Sequence, residues 1–201
     1  MTAQAGGASF FTAMKKSAPM NSLRRKALQA RREMSVGERA RASTSICKQL
    51  IASREYYSST LVACYLPMHD EVDTREIIES AWRANKRVFV PVLRNQTQMV
   101  FCEILEDTEL VKNSFGVWEP TRGFLISPRL LDLVVTPTVA FDRNAHRIGM
   151  GGGYYDRAFA FLRHRKYWIH PKLLGVAFQC QEVEEITPNP WDIRLYRVLS
   201  S

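Results

Sequence analysis

The sequence predicts an α/β protein with a mostly parallel sheet covered by helices on both faces. Three observations carry this. Leu61-Val62-Ala63-Cys64-Tyr65, Leu131-Asp132-Leu133-Val134-Val135 and Leu173 to Phe178 are short apolar runs, as suits strands buried on both faces. Helical start signals stand between such runs, and strands alternating with helices favour parallel pairing. A hydrophobic content of 46% over 201 residues is enough to fill one core.

The elements follow in order. Leu23 to Arg32 reads as a helix. Ser35-x-x-Glu38 is a capping-box pattern and starts a second helix to about Arg54, with Ile46, Leu50 and Ile51 as its apolar stripe. Leu61 to Tyr65 is the first strand, and Asp73-x-x-Glu76 opens a helix through Ala84. Arg87 to Pro91 is a second strand, centred on Val88-Phe89-Val90, and Met99 to Ile104 a third. Gly116, Pro120, Gly123 and Pro128 punctuate a region read as loop. Leu131 to Val135 is a strand closed by Thr136-Pro137. A glycine segment, a helix from Tyr154 to about Arg165 and a strand from Leu173 to Phe178 complete the pattern. Ligands in such sheets lie beyond the carboxyl ends of the strands. The loop Pro67 to Asp73 and the glycine segment both follow strands, so they can face one cleft.

Charge is unevenly placed. Residues 1–54 hold 11 Lys/Arg and 2 Asp/Glu, a net of +9, so the remainder of a chain with formal charge +8 is at −1. Such a basic quarter can serve nucleic acid, an anionic surface or a small anion, or be a solvated helix face. An RNA-binding protein is the alternative from another class, but no RNP, KH or zinc pattern is present. No apolar run approaches the roughly 20 residues that span a bilayer. Cys47, Cys64, Cys102 and Cys180 lack CxxC spacing and read as mostly buried, reduced thiols. The spacing of His69, His146, His164 and His170 suggests no metal site, and Trp118, Trp168 and Trp191 are expected to pack rather than touch ligand.

The most informative stretch is Arg147-Ile148-Gly149-Met150-Gly151-Gly152-Gly153-Tyr154-Tyr155-Asp156. Glycines permit positive φ and close approach to the main chain. Amides at a helix start attract anions, Arg147 offers a fork for phosphate, and Asp156 can hold Mg²⁺. The segment therefore reads as a nucleotide-phosphate site; the alternative is a glycine turn before an acidic helical turn. It is not a Walker A loop, which needs Gly-Lys-Ser/Thr, nor a dinucleotide fingerprint, whose third glycine is here Tyr154.

These residues, with Tyr65-Leu66-Pro67-Met68-x-x-Glu71-Val72-Asp73-Thr74, Gly116-x-x-Glu119-Pro120, Asp132-Leu133-Val134-Val135-x-Pro137, Phe141-Asp142 and Gly175-x-Ala177-Phe178-x-x-Gln181, resemble the 5-formyltetrahydrofolate cyclo-ligase (methenyltetrahydrofolate synthetase) family from about Leu23 to Val198. The resemblance implies a three-layer α/β/α sandwich like the sugar-phosphate isomerase and CoA-transferase group. It also implies ATP- and Mg²⁺-dependent closure of 5-formyltetrahydrofolate to 5,10-methenyltetrahydrofolate, with release of ADP and phosphate. By the same resemblance, Arg24, Arg147, Gly149, Met150, Gly151, Gly152, Gly153, Tyr154 and Tyr155 would contact ATP. Leu66, Glu71 and the stretch Met150 to Tyr154 would form the folate pocket, and Asp156 and Asp192 would bind the metal.

The chain departs from the family at three places: Met20 where a lysine is common, Ala145 where a turn glycine is common, and Trp191 where histidine is frequent. The turn at Ala145 is therefore expected to use another conformation or another residue. Residues 1–19 are expected to be an unstructured, untargeted extension, with Met20 as an alternative start, and 20–201 one catalytic domain. The expected protein is cytoplasmic, with a mitochondrial alternative if the acid-free N-terminus is a transit segment. It is expected to act on small molecules, without nucleic acid or membrane, as a monomer or weak homo-oligomer.

Overall fold

A computed structural model describes residues 8–201 except 96, 114–115 and 166–169, with side chains described from residue 20 onward. Trp168 therefore lies outside the described residues. Helix α1 (Ala8–Glu33) starts well before Leu23, and its backbone runs through the stretch expected to be unstructured. Ser35 opens α2 (Val36–Ile51) with the capping box: its hydroxyl accepts from the Glu38 amide at 3.2 Å, and the Glu38 carboxylate accepts from the Ser35 amide at 2.8 Å. The helix expected to reach Arg54 breaks at Ala52, because Ser53 caps a new short helix α3 (Arg54–Tyr57) through the Tyr56 amide at 3.2 Å. The third helix begins at Thr74 rather than Asp73, giving α4 (Arg75–Arg83).

The strands are β1 (Leu61–Ala63), β2 (Arg87–Leu93), β3 (Met99–Ile104), β4 (Leu110–Lys112), β5 (Trp118–Pro120), β6 (Leu125–Ile126), β7 (Leu133–Pro137), β8 (Ala140–Phe141), β9 (Arg147–Ile148), β10 (Lys172–Ala177) and β11 (Arg197–Ser200). Among the described residues, seven strands form one sheet in the order β11-β10-β7-β1-β2-β3-β6. Pairings from β11 to β2 are parallel, whereas β2–β3 and β3–β6 are antiparallel. The pleat sorts the strand residues onto two faces. Val62, Val88, Val90, Leu133, Val135, Leu174 and Val176 join Ile46 and Leu50 of α2 and Ile77 of α4 on one face. Ala63, Phe89, Val134 and Leu173 lie on the other, with Phe101 of β3 and Phe159. The α/β architecture with a mostly parallel sheet is as the sequence predicts.

Three further parts differ from what the sequence predicts. The region taken as loop carries the β4–β5 hairpin and edge strand β6; these strands are two or three residues long, only Ile126 in them is buried, and they show no apolar alternation. The helix expected to reach Arg165 is α5 (Tyr154–Ala158) followed by a 3₁₀ turn over Ala160–His164. The break is at Phe159, fully buried with φ −106° and ψ 13°, its ring 5.8 Å from that of Phe101. The strand β11, unrecognised in the sequence, pairs with β10 and closes one side of the sheet.

Candidate active site

The site is delivered by the β8–β9 hairpin. Its turn is wound around Asp142, whose side chain is wholly buried. That carboxylate accepts from the amides of Asn144 (3.0 Å), His146 (2.9 Å) and Ile186 (3.0 Å), and meets the His146 ring at 3.0 Å. Burial would push its pKa up, but the His146 ring and the Ile186 and His146 amides outweigh burial and hold the carboxyl below its ordinary value. Ala145 takes φ +61°, the left-handed conformation that glycine would adopt without cost. The expectation of a different turn there is corrected: the alanine keeps the positive φ. Its amide donates to the Asp142 carbonyl at 3.0 Å, and its carbonyl accepts from Leu195 at 3.0 Å. The helix α1 packs on this hairpin through Leu23, Ala27 and Leu28 against Val139, Ala140 and Ile148. Met20 packs against the same apolar cluster.

Past the hairpin, the chain needs positive φ at Gly151 (+106°) and Gly153 (+63°). Gly153 is the N-cap of α5 and offers no side-chain cap. Five residues make a weak dipole, so the positive potential here comes mainly from guanidinium groups rather than the helix start. Arg24 reaches in from α1 to donate to the Gly149 carbonyl at 2.8 Å. Arg157 donates to the Gly152 carbonyl at 2.7 Å and to the Thr97 carbonyl at 2.8 Å, over the Tyr154 ring. Arg147 is almost fully buried and donates to Asp156 Oδ1 at 2.9 Å and to the Ile193 carbonyl. The Ile193 amide donates to the same Asp156 oxygen at 3.0 Å. Asp156 and Asp192, the neighbour of Ile193, both line the cleft. Asp192 accepts from the Asn189 amide and side chain on Oδ2, at 2.8 and 3.2 Å.

Facing the glycine loop is the turn after β1. Met68 and Glu71 close it reciprocally, the Met68 amide donating to Glu71 Oε2 and the Glu71 amide to the Met68 carbonyl, each at 3.1 Å. Burial pushes the Glu71 carboxyl up; the Met68 amide and the Arg31 charge oppose this, while Asp70 adds to it. Tyr65 donates to the Val72 carbonyl at 3.0 Å. Burial raises the Tyr65 and Tyr155 phenols well above their ordinary range, so both stay neutral. A third wall, apolar, comes from Pro91, Leu93, Met99 and Val117.

Together these walls enclose a cleft of about 710 Å³, within the range of small-molecule sites. It gathers every residue singled out from the sequence: Arg24, Leu66, Glu71, Arg147, Gly149, Met150, Gly151, Gly152, Gly153, Tyr154, Tyr155, Asp156 and Asp192. Trp191, expected to pack, is instead 58% exposed and lines the cleft beside Asp192. Trp118 is also exposed, with Lys112 over its ring, and is not core packing. The sequence reading missed the β2 and β3 wall, Glu119 as a lining residue, and Arg157 and Arg163. Arg157 carried the one available signal, adjacency to Asp156; Arg163 arrives with the 3₁₀ turn after α5, and the β2–β3 wall with the pairing of those strands.

The donor set suits a hard cation that keeps most of its ligands from elsewhere. Asp156 spends only Oδ1 and Asp192 only Oδ2 on described partners. No group of three or more His, Cys, Asp or Glu able to hold a metal occurs among the described residues. Two carboxylates and no sulfur or imidazole cluster fit Mg²⁺ completed by phosphate and water, and do not fit zinc.

A family model described as the 5-formyltetrahydrofolate cyclo-ligase family matches residues 16–201. A 5-formyltetrahydrofolate cyclo-ligase of Escherichia coli strain K12 is 35% identical over 182 residues, spanning 88% of this chain and 94% of its own. That of Haemophilus influenzae is 34% identical over 162 residues, spanning 79% and 84%. The solved structure of Aquifex aeolicus 5,10-methenyltetrahydrofolate synthetase superposes with a TM-score of 0.77 at 29% identity, over 90% of this chain and 89% of that one.

Proposed function

The chain belongs to the 5-formyltetrahydrofolate cyclo-ligase family, and we propose that its cleft uses ATP and Mg²⁺ to close 5-formyltetrahydrofolate to 5,10-methenyltetrahydrofolate. It is an enzyme of ligase type acting on small molecules. The observation that supports the site assignment is one cleft with a glycine- and arginine-rich wall facing a wall of Leu66 and Glu71.

The chemistry accounts for both walls. A formamide oxygen is a poor leaving group. Its attack on the γ-phosphorus forms an O–P bond and releases ADP. The N10 lone pair then attacks the formyl carbon, the C–O bond breaks, phosphate leaves with the formyl oxygen, and N10 loses its proton. Phosphoryl transfer asks for positioning and charge stabilisation more than covalent help. In this reading the amides from Gly149 to Tyr155 hold the phosphates, and Arg24 and Arg157 stabilise the loop that carries them. Arg147 orients Asp156 while adding positive charge. Asp156 and Asp192 would hold the Mg²⁺, which when bound neutralises phosphate charge. Leu66 and Tyr154 flank the folate, and the Glu71 carboxylate accepts from the N–H donors of the pterin. Residues 20–201 form the catalytic unit in this proposal, and its compartment is the cytoplasm.

The test is direct. Purified protein with 5-formyltetrahydrofolate, ATP and Mg²⁺ is expected to raise the near-ultraviolet absorbance of the methenyl product. Omission of ATP or chelation of the metal should abolish the rise. A rise that persists without ATP would overturn the proposal.

A further inference from the structure

One partly buried ion pair lies outside the machinery described so far. Arg31, near the end of α1, is 5% exposed and donates from Nε and Nη2 to Asp70 Oδ2, at 3.2 and 3.0 Å. Asp70 precedes Glu71 in the turn after β1. Arg31 follows Arg24 by seven residues, two helical turns or about 10 Å along the same face. A single helix thus sends one arginine to the Gly149 carbonyl and another to the Glu71 turn, on opposite walls of the cleft. Exposed ion pairs hold geometry weakly, but a pair with one partner desolvated and doubly hydrogen-bonded holds it firmly.

We propose that Arg31 is a positioning residue for Glu71: through Asp70 it fixes the turn that presents the Glu71 carboxylate, and through α1 it sets that wall against the glycine loop. The inference rests on the reading of Glu71 as the folate-contacting carboxylate. The charged and titratable groups around Glu71 are Arg31, Asp70, Tyr65 and Tyr155. The two phenols stay neutral, so Arg31 is the cation among these groups that favours the ionised carboxylate. Removing it leaves Asp70 uncompensated, and both changes drive Glu71 toward its protonated form.

The experiment compares Arg31→Met, Arg31→Lys, Asp70→Asn, Glu71→Gln and the double variant Arg31→Met/Glu71→Gln in steady-state assays across pH, with ATP and 5-formyltetrahydrofolate varied separately. For Arg31→Met the KM for the folate should rise about tenfold, with kcat and the KM for ATP changing less than about threefold. The acid limb of kcat/KM for the folate should move to higher pH, and Arg31→Lys should recover part of the loss. In the Glu71→Gln background, Arg31→Met should add little. Asp70→Asn should also raise the folate KM while moving the acid limb the other way, and it carries the test if Arg31→Met does not fold. Equal loss for ATP and folate, an unmoved acid limb, or an undiminished Arg31 effect in the Glu71→Gln background would overturn the proposal. A folate KM raised in Glu71→Gln but unchanged in both Arg31→Met and Asp70→Asn sinks this inference alone. An unchanged folate KM in Glu71→Gln sinks the Glu71 reading and this inference with it.

Discussion

Asp156 accepts one N–H of Arg147 and the Ile193 amide on the same oxygen, so its charge is fixed in place before any ligand arrives. Asp156→Asn keeps the shape and can still accept from Arg147 and Ile193. It should therefore keep its melting temperature within a few degrees while losing at least about a hundredfold in Mg²⁺-ATP-dependent turnover. Turnover near the wild-type level would remove the metal assignment. Asp142 supports the turn rather than the chemistry. Its carboxyl pKa is depressed in the fold, so its stabilisation is present above the unfolded value of about 3.9 and is lost as pH falls toward the folded one. Asp142→Asn should be less stable than wild type at neutral pH, yet lose less on acidification below about pH 4; parallel acid melts for the two proteins would contradict this. Ala145 sits at φ +61°, so Ala145→Gly should stabilise by up to about 1 kcal/mol, read as a raised melting temperature. The glycine loop stood out in the sequence through its clustered glycines beside Arg147, and Glu71 through the family resemblance. The Asp142–Ile186 and Arg31–Asp70 contacts were not legible, because the partners stand 44 and 39 positions apart.

The glycine loop shows how an element combines local conformation with packing. A Cβ at Gly151 would come no nearer than 3.8 Å to Arg24, so space is available, but φ +106° is barred to an L side chain. Gly151→Ala should thus leave the core alone and reshape the loop, raising the KM for ATP about tenfold with little change in melting temperature. Gly175 is the opposite case. A Cβ there would lie 2.5 Å from Leu195 and 3.1 Å from the Thr138 hydroxyl, so Gly175→Ala should destabilise by about 1–3 kcal/mol with KM values unchanged. Elements with a strong local signal were readable: the Ser35 capping box and the buried strands β1, β7 and β10. Those made by tertiary pairing were not. The strands β4, β5 and β6 are two or three residues long with only Ile126 buried, and α5 stops early because Phe159 turns into the core.

At the scale of the molecule, the +9 of the first 54 residues is partly spent inside the fold. Arg24 and Arg31 are committed to the glycine loop and to Asp70. The cleft itself is assembled at the carboxyl ends of β1, β2 and β7, where the parallel sheet was expected to place it. Two walls could be read from motifs, whereas the apolar third required knowing that β3 folds back antiparallel on β2. The central claim is that the formyl oxygen is phosphorylated in this cleft and leaves as phosphate. The most direct measurement is the fate of ¹⁸O placed in the formyl group of 5-formyltetrahydrofolate during turnover with unlabelled ATP in ordinary water. The account predicts that each molecule of phosphate released carries one labelled oxygen. Unlabelled phosphate, with the label recovered in water, would contradict it.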